Sequence, residues 1–287
     1  MTTATDAGAS GSSGAAGAAE PARGRRGGER RRPDWGKYFT WGVLFWLFAP
    51  IVFMVVFSFN DIQGRHNVTW EGFTFRWYSD AFAYPDLNVA LLNTVTIAVL
   101  TMLIAGFLGT LLGLALGRYR FFGQSATNLV MFSAISAPEV VLGASLLSMF
   151  LTMNIAVGYW TILIAHVMFS VSFVAITVRA RVLTMDPGIE EAARDLGAGT
   201  LTTFRLVTLP LLVPAITSGG LIAFALSVDD YIITSFVSGS TQTFPLWIWG
   251  ATRVGIPPQV NVMGTLIFGV GVLLAIGNMV LARRRSR

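Results

Sequence analysis

Six apolar stretches, each long enough to cross a bilayer as a helix, constrain this chain more than any other feature. Crossing ~30 Å of hydrocarbon takes ~20 apolar residues at 1.5 Å of rise each. Runs at roughly Tyr38–Phe59, Leu91–Leu116, Thr127–Thr152, Val157–Val178, Leu211–Val228 and Val262–Leu281 meet that length. Of the 287 residues, 54% are hydrophobic and only 12% charged, with a mean hydropathy of +0.64. Soluble domains carry about 25% charged residues, so the solvent of most of this chain is lipid. The sequence predicts an all-α integral membrane protein with six transmembrane helices in one domain over 35–287.

The charges that remain set the topology. The segment up to Lys37 holds seven Lys/Arg. Two more, Arg118 and Arg120, follow the second run; Arg179, Arg181, Arg194 and Arg205 lie between the fourth and fifth; four close the chain from Arg283. Of twenty basic residues, only Arg65, Arg76 and Arg253 fall on the opposite side. Cytoplasmic loops concentrate Lys and Arg, which puts both termini in the cytoplasm. The formal charge of +5 is thus spent in clusters between apolar runs, not on a face for nucleic acid. Residues 1–34 are Gly, Ala, Ser, Thr, Arg and Pro with almost no aliphatic bulk, which predicts a disordered cytoplasmic tail. The run after them is too long for a cleaved signal peptide, and no small-residue cleavage site precedes Asn60.

Composition also removes several chemistries. With no cysteine, disulfides, thiolate metal sites and a cysteine nucleophile are excluded. His66 and His166 stand a hundred residues apart and form no zinc spacing. Nothing around the single lysine, Lys37, fits the G-x-x-x-x-G-K-[ST] loop that grips ATP phosphates. No catalytic constellation and no metal site are expected.

Three segments carry finer signals. Gly109, Gly113 and Gly117 recur at four-residue spacing in the second run, where small residues let two membrane helices approach closely; internal packing is the first reading and a subunit interface the second. Residues 60–88, with Trp70, Trp77, Tyr78 and Tyr84, suit an interfacial loop. Residues 229–261 hold Gly239, Pro245, Pro257 and Pro258 around an apolar patch, Leu246 to Trp249, suited to dipping into the membrane or docking on an outside partner. Asn67-Val68-Thr69 matches a glycosylation sequon, read as chance.

The loop over 186–210 is the most informative. Asp186 is a good N-cap and Pro187 suits the first helical position. Glu190 and Glu191 sit where the helix dipole favours anions, and Gly197 suits the stop. The result is a short helix with Ile189, Ala193 and Leu196 on one shallow apolar face and Glu190, Glu191 and Arg194 pointing elsewhere. Such a helix either joins two spans or docks into a groove of another protein.

This loop resembles the signature of bacterial ABC importer permeases of type I: Glu-Ala-Ala, three residues, Gly, nine residues, then Ile-x-Leu-Pro. Here Glu191-Ala192-Ala193 leads to Gly197 and then to Val207-Thr208-Leu209-Pro210, with Val207 in place of isoleucine. The resemblance implies that the loop is a coupling helix seated in a cleft of a separate ATPase subunit. Two ATPases binding ATP and Mg would drive the motion, and this chain would hold no cofactor. Glu191 would be the main contact, Ala192 and Ala193 would keep the face shallow, and Gly197 would allow the tight turn. A homologous permease and an extracytoplasmic solute-binding protein would complete the assembly, and the resemblance places it in a bacterial cytoplasmic (inner) membrane.

Over about residues 38–282 the chain is most similar to the second permease subunit of spermidine/putrescine importers. Ala225–Asp230, Ser235–Gly239, Pro245-Leu246, Gly255–Asn261, Pro138–Val141 and His166–Phe169 carry that likeness, although the subfamily usually has aspartate where Glu139 stands. Glu139, a dozen residues into the third run, reads as mid-bilayer beside a bend at Pro138, and an intramembrane carboxylate faces a cavity or a partner. Asp229 and Asp230 end the fifth run. These acids either line a polyamine path or pair with backbone, Arg253 or the sister subunit. His166 is either held by an interhelical hydrogen bond or takes part in transport. Importers of ferric iron, thiamine or sulfate, and an ATP-independent carrier, are the alternatives.

Overall fold

The computed structural model describes residues 35–62, 67 and 69–285. The expectation of a disordered tail over 1–34 lies outside them. The chain divides at Ala49/Pro50 into two units. In the first, residues 35–49 are the start of helix α1 (Trp35–Phe57), and every side chain from Trp35 to Phe48 is exposed. Lys37 and Thr40 apart, that exposed surface is apolar, as a lipid-facing span presents.

The second unit is built on α3 (Pro85–Arg118), which follows the short α2 (Arg76–Ser79). Pro85 begins α3 where a missing N–H costs nothing, and Asp86 lies in the first turn near the positive end of the dipole. Its 34 residues rise about 51 Å, longer than the ~30 Å of a hydrocarbon core. Against it lies α6 (Tyr159–Leu183), and the glycines of α3 explain how closely. A Cβ on Gly109 would stand 2.6 Å from Val174 Cβ, one on Gly113 2.6 Å from the Ala175 carbonyl, and one on Gly117 2.7 Å from Val182 Cγ1. The four-residue glycine ladder is therefore an internal seam. The third long helix, α9 (Leu209–Asp229), closes the core: Ala105, Val174, Val178, Leu212 and Ala223 are buried together.

The third apolar run is not one helix. It forms α4 (Gln124–Ser136) and α5 (Glu139–Thr152), bent by 111° at the break. The residue before a proline is pushed to extended backbone; Ala137 takes ψ 137° and Pro138 ψ 128°. Two consecutive extended residues turn the chain much further than a local proline kink. The expected rise to Glu139 along one unbroken helix is thus interrupted, and Glu139 is an exposed first-turn residue of α5.

Among the described residues four helices are long and apolar enough to cross a membrane, five if α4 and α5 count as one span. The last helix, α12 (Pro258–Arg285), is apolar over a shorter stretch, Pro258–Leu273. Among the described residues there is no strand, only a single bridge between Asn60 and Phe73. That bridge belongs to a well-tied loop. Buried Asn60 accepts the Glu71 N–H at 2.7 Å, donates to Asn67 Oδ1 at 2.8 Å, and receives the Trp77 indole N–H on its carbonyl at 2.8 Å.

Candidate functional site

Two places gather the residues that the sequence singles out. The first is at the end of the bundle where α3 stops and α9 begins. Helix α7 (Gly188–Asp195) lies there, followed by α8 (Thr200–Thr203) and a π-helical turn, Phe204–Thr208, that runs into α9. Asp186 Oδ1 accepts the Gly188 N–H at 2.9 Å, satisfying one free donor of the first turn. The far end closes with paired bonds: Gly197 N–H to the Arg194 carbonyl at 2.9 Å and Ala198 N–H to the Ala193 carbonyl at 3.1 Å. Gly197 has φ +86°, the left-handed conformation that this stop requires and that only glycine takes without strain.

Within α7 the two adjacent glutamates divide their roles. Glu191 and Ala192 are exposed, as are Ile189 and Leu196, while Ala193 is half-buried. Glu190 turns inward. Arg118 Nη2, at the end of α3, stands 3.1 Å from Glu190 Oε1, and Arg118 Nε donates to Oε2 at 3.3 Å. Thr208, in the π turn, donates its hydroxyl to Oε1 at 2.9 Å. Burial acts to raise the Glu190 pKa, but the Arg118 and Thr208 hydrogen bonds and the charges of Arg118 and Arg194 outweigh it and hold the carboxyl below its ordinary range. One carboxylate thus ties α7 to both α3 and the root of α9. Leu209 and Pro210 open α9, and the Leu209 N–H reaches back five residues to the Phe204 carbonyl. That wider turn accommodates the ring of Pro210, which has no N–H to continue an ordinary ladder.

The second place is the break between α9 and α10 (Ile232–Val237). His166, only 4% exposed on α6, sets Nδ1 2.7 Å from Ser227 Oγ. Its Nε2 lies 3.2 Å from Asp230 Oδ2 and 2.9 Å from Thr234 Oγ1. Asp230 Oδ2 also accepts the Thr234 N–H at 2.8 Å and the Thr234 hydroxyl at 2.6 Å. A neutral imidazole with its proton on Nε2 satisfies every one of these atoms, Ser227 donating to Nδ1. Asp230 and His166, separated by 64 residues, are brought together as a buried clamp of α6 on the α9–α10 junction.

Asp229 and Glu139 do not join it. Both are exposed, and among the described residues neither takes part in an ion pair, Arg253 included. Sequence reasoning missed the contacts that Glu190, Arg118, Thr208, Ser227 and Thr234 make. Arg118 carried only a topological signal, and no spacing rule links Glu190 to a partner 72 residues away.

Removing the clamp's acid leaves the Thr234 N–H and hydroxyl without their acceptor and the imidazole N–H with Thr234 Oγ1 alone, a loss of about 1–3 kcal/mol. Asp230→Ala is therefore expected to lower the thermal midpoint of the detergent-solubilised protein, and Asp230→Asn, which keeps one acceptor oxygen, to lower it less. Melting followed by size-exclusion chromatography measures the difference.

The chain is 36% identical over 249 residues to the spermidine/putrescine transport system permease protein PotC of Haemophilus influenzae, covering 86% of this chain and 96% of that one. It is 37% identical over 250 residues to the putrescine transport system permease protein PotI of Escherichia coli, covering 84% and 88%. Among solved structures, a bacterial alginate ABC transporter in complex with an alginate pentasaccharide-bound periplasmic protein aligns with TM-score 0.64 at 15% identity, over 88% of this chain and 94% of that one. The MetNI methionine ABC transporter in an inward-facing form aligns with TM-score 0.53 at 18% identity, over 69% and 97%. At such identities those two share the fold. Residues 109–287, from the first glycine of the α3 seam to the end, match the model of binding-protein-dependent transport system inner membrane components, and the chain belongs to that family.

Proposed function

We propose that this chain is the second permease subunit of an ATP-driven importer of polyamines. The observation that carries the reading is the identity of more than a third along nearly the whole length of permeases named for spermidine and putrescine. The chain crosses the membrane six times, α12 giving the last span and α4 with α5 the third, with both termini in the cytoplasm. It pairs with a homologous permease and receives solute from an external binding protein. It catalyses no covalent step; ATP and Mg belong to two separate ATPase subunits.

Helix α7 is the coupling element. Its exposed Glu191, Ala192, Ile189 and Leu196 form the surface offered to the ATPase. Glu190 transmits the resulting motion into α3 and α9 through Arg118 and Thr208. The Gly197 turn and the Leu209-Pro210 start of α9 hold the lever at its two ends. Of the acids considered for the solute path, Glu139 and Asp229 remain open to it, while Asp230 and His166 hold the α9–α10 junction in place.

The test is uptake in a strain lacking the gene. Deletion should abolish ATP-dependent accumulation of labelled putrescine and leave sulfate accumulation intact, and the restored gene should bring putrescine uptake back. Putrescine uptake that survives deletion, or sulfate uptake that falls with it, would refute the polyamine assignment.

A further inference from the structure

The turn between α3 and α4 holds three aromatic side chains in four positions, Tyr119, Phe121 and Phe122. Tyr119 and Phe121 are exposed, and Phe122 is wholly so. A single exposed apolar residue is ordinary on a protein surface; a cluster of them marks a contact. The turn is also fixed. The Tyr119 N–H donates to the Ala115 carbonyl at 3.1 Å, the Gln124 N–H to the Phe121 carbonyl at 3.3 Å, and Gln124 Nε2 reaches back to the Leu116 carbonyl at 3.1 Å. Gly123 takes φ +88°, a left-handed turn that glycine makes without strain, and its carbonyl receives the Thr127 N–H at 2.9 Å. The rings are held outward and lose little further freedom on docking. Between them stands Arg120, exposed and paired with no acid among the described residues. Its neighbours are taken: Arg118 by Glu190, and Arg179 of α6 by Asn128 of α4 at 2.7 Å.

We propose that this turn docks on the cytoplasmic leaflet of the bilayer, with Arg120 on the phosphates of anionic phospholipids and Phe121 and Phe122 at the boundary of headgroup and acyl chain. The side of the membrane rests on the topology proposed above; the lipid contact goes beyond it. Helix α4 leaves the turn with Leu129 and Val130 each 68% exposed, within two helical turns of Gln124, so the rings continue an apolar surface suited to lipid. A guanidinium on an apolar stem, flanked by rings, matches a boundary that is apolar on one side and wet on the other. Free phosphate would meet the guanidinium and leave the rings in water. At the other end of the bundle, helix α11 (Phe244–Ala251) also exposes a ring, Trp249, but carries no charged residue. A ring alone settles at an interface without choosing a headgroup; Arg120 adds the choice. Since Arg118 lies two residues before it, the contact also holds the α3 end of the Glu190 strut at the membrane surface.

The chain has no cysteine, so Phe122→Cys gives it a unique thiol, at a side chain that packs on nothing. The experiment places a nitroxide there in the complete importer, with cysteine-free partner subunits, in vesicles of equimolar phosphatidylglycerol and phosphatidylcholine. A docked turn gives a nitroxide that collides with oxygen and is shielded from a water-soluble nickel chelate. Adding Arg120→Gln should weaken docking about fivefold, equivalent to about 1 kcal/mol per basic residue at an anionic surface, read as a rise in nickel collisions. Arg120→Lys should keep most of the shielding, and pure phosphatidylcholine should reproduce the Arg120→Gln result. A nitroxide open to nickel in both lipid mixtures overturns the proposal. So does shielding that appears only when the ATPase is present, which would assign the rings to a protein partner. Shielding that neither Arg120→Gln nor pure phosphatidylcholine alters overturns the selection of anionic lipid. Leu196→Cys, on an exposed side chain just after α7, reports the side: an impermeant thiol reagent that reaches it from outside in spheroplasts overturns the topology, and the cytoplasmic assignment of the turn with it.

Discussion

Gly113→Val is expected to remove most of this protein from the membrane. At this position even a single Cβ would stand 2.6 Å from the Ala175 carbonyl, 2.9 Å from Val178 Cβ and 3.0 Å from the Arg179 amide nitrogen. Two of those three atoms are backbone of α6, so no rotamer change can make room; the helices must part. Parting them opens the seam at Gly109 and Gly117, and loosens the buried cluster of Val174, Val178, Val182 and Leu212. Overpacking a core costs about 1–3 kcal/mol where side chains can yield, and here the branched γ carbons of valine press on the rigid chain as well. In a membrane, close approach of small-residue faces supplies much of what holds helices together. The control is Gly106→Ala, on the same helix, where a Cβ meets nothing within 4 Å. That substitution should be neutral or stabilise by about 0.5–1 kcal/mol, as alanine usually does in place of helical glycine. Immunoblots of membrane fractions and melting of the solubilised protein read both. Wild-type levels of Gly113→Val would mean that the α3–α6 seam does not hold the bundle together.

The seam was legible in the sequence because membrane packing leaves a periodic mark: glycine at every fourth residue is one stripe of one helix. The apolar runs were legible for the same kind of reason, since hydrocarbon imposes a length. What hydropathy could not register was the fate of the third run. Proline 138 signals a bend, but a 111° turn depends on Ala137 and Pro138 both staying extended, and on α5 having somewhere to go. It packs against α10, where Gly143 lies so close to Phe236 that a Cβ would come within 2.6 Å of the ring. That partner is ninety residues away and sends no local signal. The same limit explains the acids. Asp229 and Asp230 are indistinguishable by composition, yet a helix that ends between them buries one against His166 and leaves the other exposed. The coupling-type loop was the opposite case: cap, charge and stop residues lie within twelve positions, so each end of α7 could be placed from the chain alone.

The two glutamates of α7 offer the sharpest separation of docking from transmission. Glu191→Lys is expected to leave the subunit inserted and as stable as before, because an exposed side chain with room around it contributes little to the fold, yet to abolish ATP-dependent uptake by reversing the charge at the proposed ATPase contact. Glu190→Lys should fail differently. It places a cation 3 Å or so from Arg118, where Glu190 Oε1 now lies 3.1 Å from Nη2, and removes the acceptor of the Thr208 hydroxyl. Repulsion and an unpaired guanidinium should then loosen α7 from α3 and α9. The paired exchange Arg118→Glu with Glu190→Lys restores opposite charges and should recover part of the stability; it cannot restore the bond geometry of the guanidinium. Acid should mimic the milder loss. Because the Glu190 carboxyl is held below its ordinary pKa, its contribution is complete above that ordinary value and disappears as the pH falls through the lowered one. Binding of the purified ATPase, measured beside melting, tells the variants apart: Glu191→Lys should lose the ATPase and keep its melting point, whereas Glu190→Gln, a gentler break of the same strut, should keep the ATPase and lose the coupling of hydrolysis to uptake. If Glu191→Lys still binds the ATPase and transports normally, α7 is a plain connector between α6 and α9, and the motor engages this subunit elsewhere.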